Sequence, residues 1–142
     1  MVAAQKAFRI EHRLPSVEQY LQLRAAAGFS LRSPEAAEAA LDNTIHAAVA
    51  DLVAGPRLVG MARLIGDGGV YFEISDVVVL SDYRGLGIGR ALVTDLLDWM
   101  AAEAPPTASL RVLTTEDNVG FYGKCGLKNE SADVRVFSFR KS

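Results

Sequence analysis

The chain has 142 residues, half of them hydrophobic and 23% charged, with a formal net charge of −2. That length suits one domain, residues 1–142, around one sizeable core, and the near-neutral balance excludes the strongly basic surface of a nucleic-acid binder. Cys125 is the lone cysteine, which excludes an intrachain disulfide and a cysteine-based zinc site, and His12 and His46 lack ligand spacing, so no metal is expected.

Residues 8–12 read as a short first strand. Ser16 and Gln19 form a capping box that starts a helix, which runs to a stop near Gly28. Ser33 followed by Pro34 starts a second helix, and the alanine-rich stretch 36–41 sustains it. Stretches 45–53 and 57–65 read as two strands joined across Gly55 and Pro56. A turn at Asp67, Gly68 and Gly69 leads into a long apolar strand over 70–80. Ile88, Leu92, Leu96, Trp99 and Met100 recur at helical spacing, giving a helix over 87–103 that ends before Pro105. A strand over 109–114, a short helix over 117–124 and a last alternating strand over 134–139 complete the pattern. The order predicts an α/β (α+β) fold with a mixed central sheet of six to seven strands and about four helices. Its one parallel crossover runs from strand 70–80 through helix 87–103 to strand 109–114. Stretch 1–13 has no apolar core of a secretory kind, and no apolar run approaches the ~20 residues that span a bilayer. A cytoplasmic location without a membrane partner is the expectation.

The junction after strand 70–80 carries the chemistry. Gly85, Gly87 and Gly89 alternate between a β-branched run and a helix start, with Arg84 before them and Arg90 in the first helical turn. Glycines allow a tight turn and close backbone approach. The first N–H groups of a helix have no intrahelical partner, and the helix dipole favours an anion there. The arrangement points to a phosphate site. It lacks the Lys-Ser/Thr of a Walker A loop, and it fits a dinucleotide fingerprint poorly because the third glycine position falls on Arg90 or Leu92.

The run Arg84-Gly85-Leu86-Gly87-Ile88-Gly89 resembles the Arg/Gln-x-x-Gly-x-Gly/Ala signature of the GNAT superfamily of N-acetyltransferases, with Asp76, Val77, Val78 and Val79 before it matching the same motif's flank. A second stretch, from Asn118 through Phe121, Tyr122, Lys124 and Gly126 to Leu127, resembles the family's Asn…Phe-Tyr-x-Lys-x-Gly-Phe element. In its length and its Tyr-x-Lys-Cys-Gly run this second stretch is similar to glucosamine-phosphate N-acetyltransferases, but the likeness is local and does not carry their substrate.

The resemblance implies acetyl-CoA as co-substrate and a primary amine on a small molecule as acceptor, with no metal. It implies that backbone N–H groups of Gly85, Leu86, Gly87, Ile88, Gly89 and Arg90, beside Arg84, hold a diphosphate. The pantetheine arm would run along Val77, Val78 and Val79, where that strand splays from the next, with Asn118 and Phe121 nearby. Acetyl transfer needs a base, because an alkyl amine with a pKa of about 10.4 is protonated at neutral pH. It also needs a proton for the departing sulfur. Tyr122 occupies the family's general-acid position. Glu73 and Asp76 are the candidate bases, with a water chain as the third alternative; the two carboxylates lie on opposite faces of a regular strand unless a bulge intervenes. Arg24 and Arg32 flank the turn between the first two helices and are expected to be solvated; because the resemblance implies that this helix pair walls the acceptor side, binding an anionic acceptor group is their functional alternative. His46 and Trp99 are expected in the core, and Cys125 as a small filler. A homodimer would be favoured by any exposed apolar face on the last strands. A non-catalytic acyl-CoA-binding domain and a nucleotide-binding protein are the rival functions.

Overall fold

The computed structural model describes residues 6–130 and 133–142. Its framework is a mixed sheet in the order β1-β2-β3-β4-β5, from Phe8–Glu11 (β1), His46–Leu52 (β2), Leu58–Gly66 (β3), Tyr71–Val79 (β4) and Ser109–Val112 (β5). The first four strands are mutually antiparallel, and β5 joins β4 in parallel. Helices Val17–Ala26 (α1) and Pro34–Asp42 (α2) lie on one face, and Ile88–Glu103 (α3) covers the other. A short helix, Val119–Lys124 (α4), follows β5.

Coverage on both faces explains why β2 and β3 are nearly all apolar rather than alternating. Ala48, Val59, Ala62, Leu64, Phe72 and Ile74 pack under Ile88, Leu92 and Leu96 of α3. Val49, Met61 and Val78 pack under Tyr20, Leu23 and Leu41 of α1 and α2. Small residues set how closely α3 approaches. A Cβ at Gly60 would stand 2.9 Å from the Val78 carbonyl oxygen and 3.1 Å from a Leu92 methyl.

The local signals at the helix starts operate as expected. Ser16 Oγ accepts from the Gln19 N–H, and the Gln19 side chain accepts from the Ser16 N–H. Ser33 Oγ caps α2 by accepting from the Ala36 N–H, with Pro34 in the first turn. Asp67 Oδ1 accepts from the N–H groups of Gly69, Val70 and Tyr71, which pins the β3–β4 turn and holds the Asp67 carboxyl below its usual value.

Two expectations need correction. The sheet has five strands among the described residues, not six or seven. Stretch 134–139 alternates apolar and polar residues but joins no ladder. Val134, Val136, Phe137 and Phe139 are all exposed, so residues of both parities face solvent. Alternation specifies a strand only where one face can be buried and a sheet edge is available to pair with.

Candidate active site

Two irregularities in β4 make the site. On one side β4 pairs with β5 only from Tyr71↔Ser109 to Ile74↔Val112. Beyond that register the pairing stops, where the family resemblance implies a splay, and stretch 75–79 has no strand partner on that side among the described residues. On the other side the register with β3 jumps from Arg63↔Ser75 to Met61↔Val78, so two residues, Asp76 and Val77, oppose Ala62 alone. This is a β-bulge, and Asp76 sits in it with φ +54. The bulge turns the Asp76 side chain to the same face as Ser75 and, by alternation, Glu73.

The splay opens a cleft of about 670 Å³. Val77, Val78 and Val79 form one wall; Tyr83, Arg84, Gly85, Gly87, Ile88, Gly89 and Arg90 form its floor; Asn118, Phe121 and Tyr122 form the opposite wall. Of the predicted cofactor residues, only Leu86 does not line the cleft; its side chain is exposed. Gly85 and Gly87 both take positive φ, +77 and +84, which L side chains rarely adopt. Gly87 is the N-cap of α3 and supplies no side-chain oxygen, so no side chain caps the first-turn N–H groups. Gly89 serves a different purpose, since a Cβ there would meet the Phe121 ring at 3.1 Å and the Val79 side chain at 3.6 Å. Glycine at 89 lets α4 close against α3 and complete the cleft.

Tyr122 is half-buried and stands edge-on to Phe121, with ring centroids 4.9 Å apart. Burial, then the nearby Cys125 thiol, pushes its phenol above the ordinary value. It therefore keeps its proton throughout the physiological range. Asn118 precedes α4 without making a side-chain cap; its amide donates to Thr115 Oγ1, at 3.5 Å. Cys125 packs against the core, and burial raises its thiol, which suits a filler rather than a nucleophile.

The two candidate bases differ sharply. The Asp76 side chain is buried, and both its oxygens are occupied. Oδ2 accepts from the Tyr20 hydroxyl at 2.6 Å and from Arg63 Nε at 2.9 Å, while Oδ1 accepts from Arg24 Nη1. A proton on Asp76 would displace one of these donors, so its geometry is that of an anchor. Glu73 is partly buried, sits between Ile65 and Arg111, and has no hydrogen bond or ion pair to another described residue. It keeps both oxygens free.

The expectation that Arg24 is solvated is wrong. Its guanidinium is buried, ion-paired to Asp76, and stacked near Tyr20 and Phe29 at 5.8 and 5.3 Å from the ring centroids. Arg32 is exposed, as expected. Sequence reading missed Arg63 and Tyr20, although a signal existed. An arginine inside the apolar β3 run and an aspartate inside the apolar β4 run are each costly alone and economical together. It also missed that the fold unites the histidines. His12 and His46 both contact Asp95, at 2.6 and 2.9 Å, and His46 stacks on Trp99.

Comparison with known proteins agrees with this geometry. The family model described as "Acetyltransferase (GNAT) family" matches residues 14–127. Over 82 residues, 58% of this chain, the sequence is 33% identical to the uncharacterized N-acetyltransferase ycf52 of Pyropia yezoensis, and the aligned stretch spans 46% of that protein. The structure of SA2161 from meticillin-resistant Staphylococcus aureus superposes with a TM-score of 0.85 at 27% identity, over 95% of this chain and all of that one. The GNAT family protein SP0256 of Streptococcus pneumoniae gives 0.77 at 28% identity, over 95% and 98% of the two chains.

Proposed function

The chain belongs to the GNAT family of acetyltransferases, and from that premise we propose that it transfers an acetyl group from acetyl-CoA to a primary amine on a small molecule. The observation that carries this reading is the cleft itself, in which a glycine turn with an uncapped helix start and Tyr122 line one continuous space. The site fits coenzyme A: positive φ at Gly85 and Gly87 leaves the backbone bare for a diphosphate, and the unpaired edge of 75–79 offers peptide groups to an amide-bearing arm.

When bound, acetyl-CoA supplies the acetyl group as a thioester, and a nitrogen–carbon bond to the acceptor replaces its carbon–sulfur bond. The protein supplies the rest. Glu73, whose oxygens are uncommitted, accepts the amine proton, directly or through water. Tyr122 holds a proton at Oη for the sulfur, which as a free thiol has a pKa near 8.5. Backbone N–H groups of β4 near Val77 polarise the acetyl oxygen. Asp76 fixes the bulge that sets these positions, a role suited to a carboxylate with three donors.

The test is thiol release from acetyl-CoA across a panel of primary amines, with wild type and Tyr122→Phe. Wild type should turn over at least one amine. The variant should lose roughly 10²-fold or more in kcat, the scale of one general acid, and keep its affinity for coenzyme A. Tight coenzyme A binding with no turnover of any amine would instead identify an acyl-CoA-binding domain. Binding of NAD or ATP in place of acetyl-CoA would refute the whole reading.

A further inference from the structure

We propose that the acceptor carries a negative group, a carboxylate or phosphate, and that a second cavity beside the cleft binds it. This rests on the acetyl-transfer reading above and narrows its substrate class. The cavity, about 200 Å³, lies between α1, α2 and the sheet, on the far side of the bulge from the coenzyme cleft. Asp76 lines it, and its neighbour Val77 lines the cleft, so the bulge is the wall the two spaces share. Phe29 lines the cleft and its ring centroid lies 5.3 Å from the Arg24 guanidinium that lines the cavity, so the two spaces also adjoin beside that wall, and an acceptor lying past this ring on the face that Glu73 and Asp76 share would have its other end in the cavity.

The lining decides what that other end can be. Arg24, Arg32 and Arg63 face the cavity against one carboxylate, Asp76, which leaves an excess of two positive charges. Ala36, Ala37 and Ala40 of α2 leave room for a group of a few heavy atoms. Arg63 is fully engaged: Nε and Nη2 go to Asp76, and Nη1 goes to Thr44 Oγ1 and the Ala40 carbonyl. Arg24 is not. Nη1 reaches Asp76 and Nη2 the Ser30 carbonyl at 2.9 Å, but its Nε–H is buried without an acceptor among the described residues, in a residue more than nine-tenths buried. A buried donor left unpaired costs about 1–3 kcal/mol, and native proteins almost always satisfy such groups. Arg24 lines a cavity of net positive charge, and its guanidinium is left with hydrogen-bonding capacity that the described residues do not fill.

Arg32 stands at the rim. It donates through Nη1 to Ser30 Oγ and to its neighbour's carbonyl, and it has no carboxylate partner among the described residues. Next to Arg32 in the chain, the Leu31 carbonyl accepts from Arg140 Nη2 at 3.0 Å. A planar guanidinium matches carboxylate and phosphate oxygens two at a time. The same charges repel the second ammonium of a polyamine.

The experiment measures kcat/KM at saturating acetyl-CoA for β-alanine and 2-aminoethyl phosphate, each against an uncharged analogue, β-alaninamide and ethanolamine, with putrescine as the dication. At least one anionic amine should exceed its neutral analogue by 10-fold or more, and putrescine should be poorest. The two pairs separate carboxylate from phosphate. Arg32→Gln should bring that ratio close to one, and Arg32→Lys should keep most of it; both replacements are at an exposed site that leaves the core untouched. A neutral analogue or putrescine used as well as the anionic amines, or a ratio that Arg32→Gln does not change, overturns the anion site while acetyl transfer stands. If no amine is acetylated, the site is read by calorimetry with succinate and inorganic phosphate. Binding that Arg32→Gln weakens 10-fold supports the anion site even though the transfer reading has failed, and absence of binding to wild type overturns it.

Discussion

Replacing Asp76 with asparagine isolates the charge on which the bulge depends. Asparagine tolerates the left-handed φ of +54 that Asp76 adopts, so the backbone is spared the strain alanine would add. The shape is kept, but one oxygen becomes an NH2 group facing N–H donors of Arg24 or Arg63. Two guanidiniums with side chains only 10% and 7% exposed then lose their shared anion. Removing one partner from a buried ion pair typically costs about 3–5 kcal/mol, because the other charge stays buried. An unfolding entropy of about 2.1 cal/mol/K per residue gives this chain about 0.3 kcal/mol/K, so Tm should fall by roughly 10–17 °C. Urea denaturation should show the same loss as a lower midpoint at unchanged m-value. The loss should persist in 1 M salt, since a buried pair is poorly screened. A change below about 1 kcal/mol would refute the view that Asp76 anchors the bulge and would return it to the list of bases.

Other consequences can be checked singly. Gly89→Ala should leave stability nearly unchanged, because the helix gain of about 1 kcal/mol offsets the 3.1 Å contact with Phe121; calorimetry should nonetheless show weaker acetyl-CoA binding as that ring moves into the cleft. Ser16→Ala should cost about 1 kcal/mol in a urea melt through loss of the α1 capping box. The Tyr20 phenol is raised above 10.0 by burial first and by its bond to Asp76 second. Its neutral form is the one the fold favours, so this contribution is complete below about pH 10 and is lost as pH rises through the higher folded value. Tyr20→Phe should therefore flatten part of the alkaline fall in stability measured by thermal melts from pH 8 to 11.

Much of this architecture is legible in the residues because local signals and burial agree. The Ser16 capping box, Ser33 with Pro34, and the Ile88–Leu92–Leu96 stripe each fix an element that packing then confirms. The cleft is legible for a related reason: alternating glycines after a β-branched strand can serve few purposes, and the second motif puts Tyr122 against them. What the sequence hides is set by distant pairing. Arg24, Arg63 and Tyr20 lie on three different elements and meet only through a carboxylate that a one-residue bulge has turned. Glu73 and Asp76 are three apart and would face opposite ways on a regular strand, so no period-two reading can place them on one face. The stretch 134–139 fails in the opposite sense, since its alternation is real but no sheet edge pairs with it.

A crystal structure of the protein with acetyl-CoA tests the central claim most directly. The diphosphate should accept hydrogen bonds from backbone N–H groups between Gly85 and Arg90, with the sulfur lodged in the β4–β5 splay within hydrogen-bond reach of Tyr122 Oη. A coenzyme bound elsewhere, or a splay zipped shut beyond Ile74 and Val112 with Tyr122 turned into the core, would contradict the account.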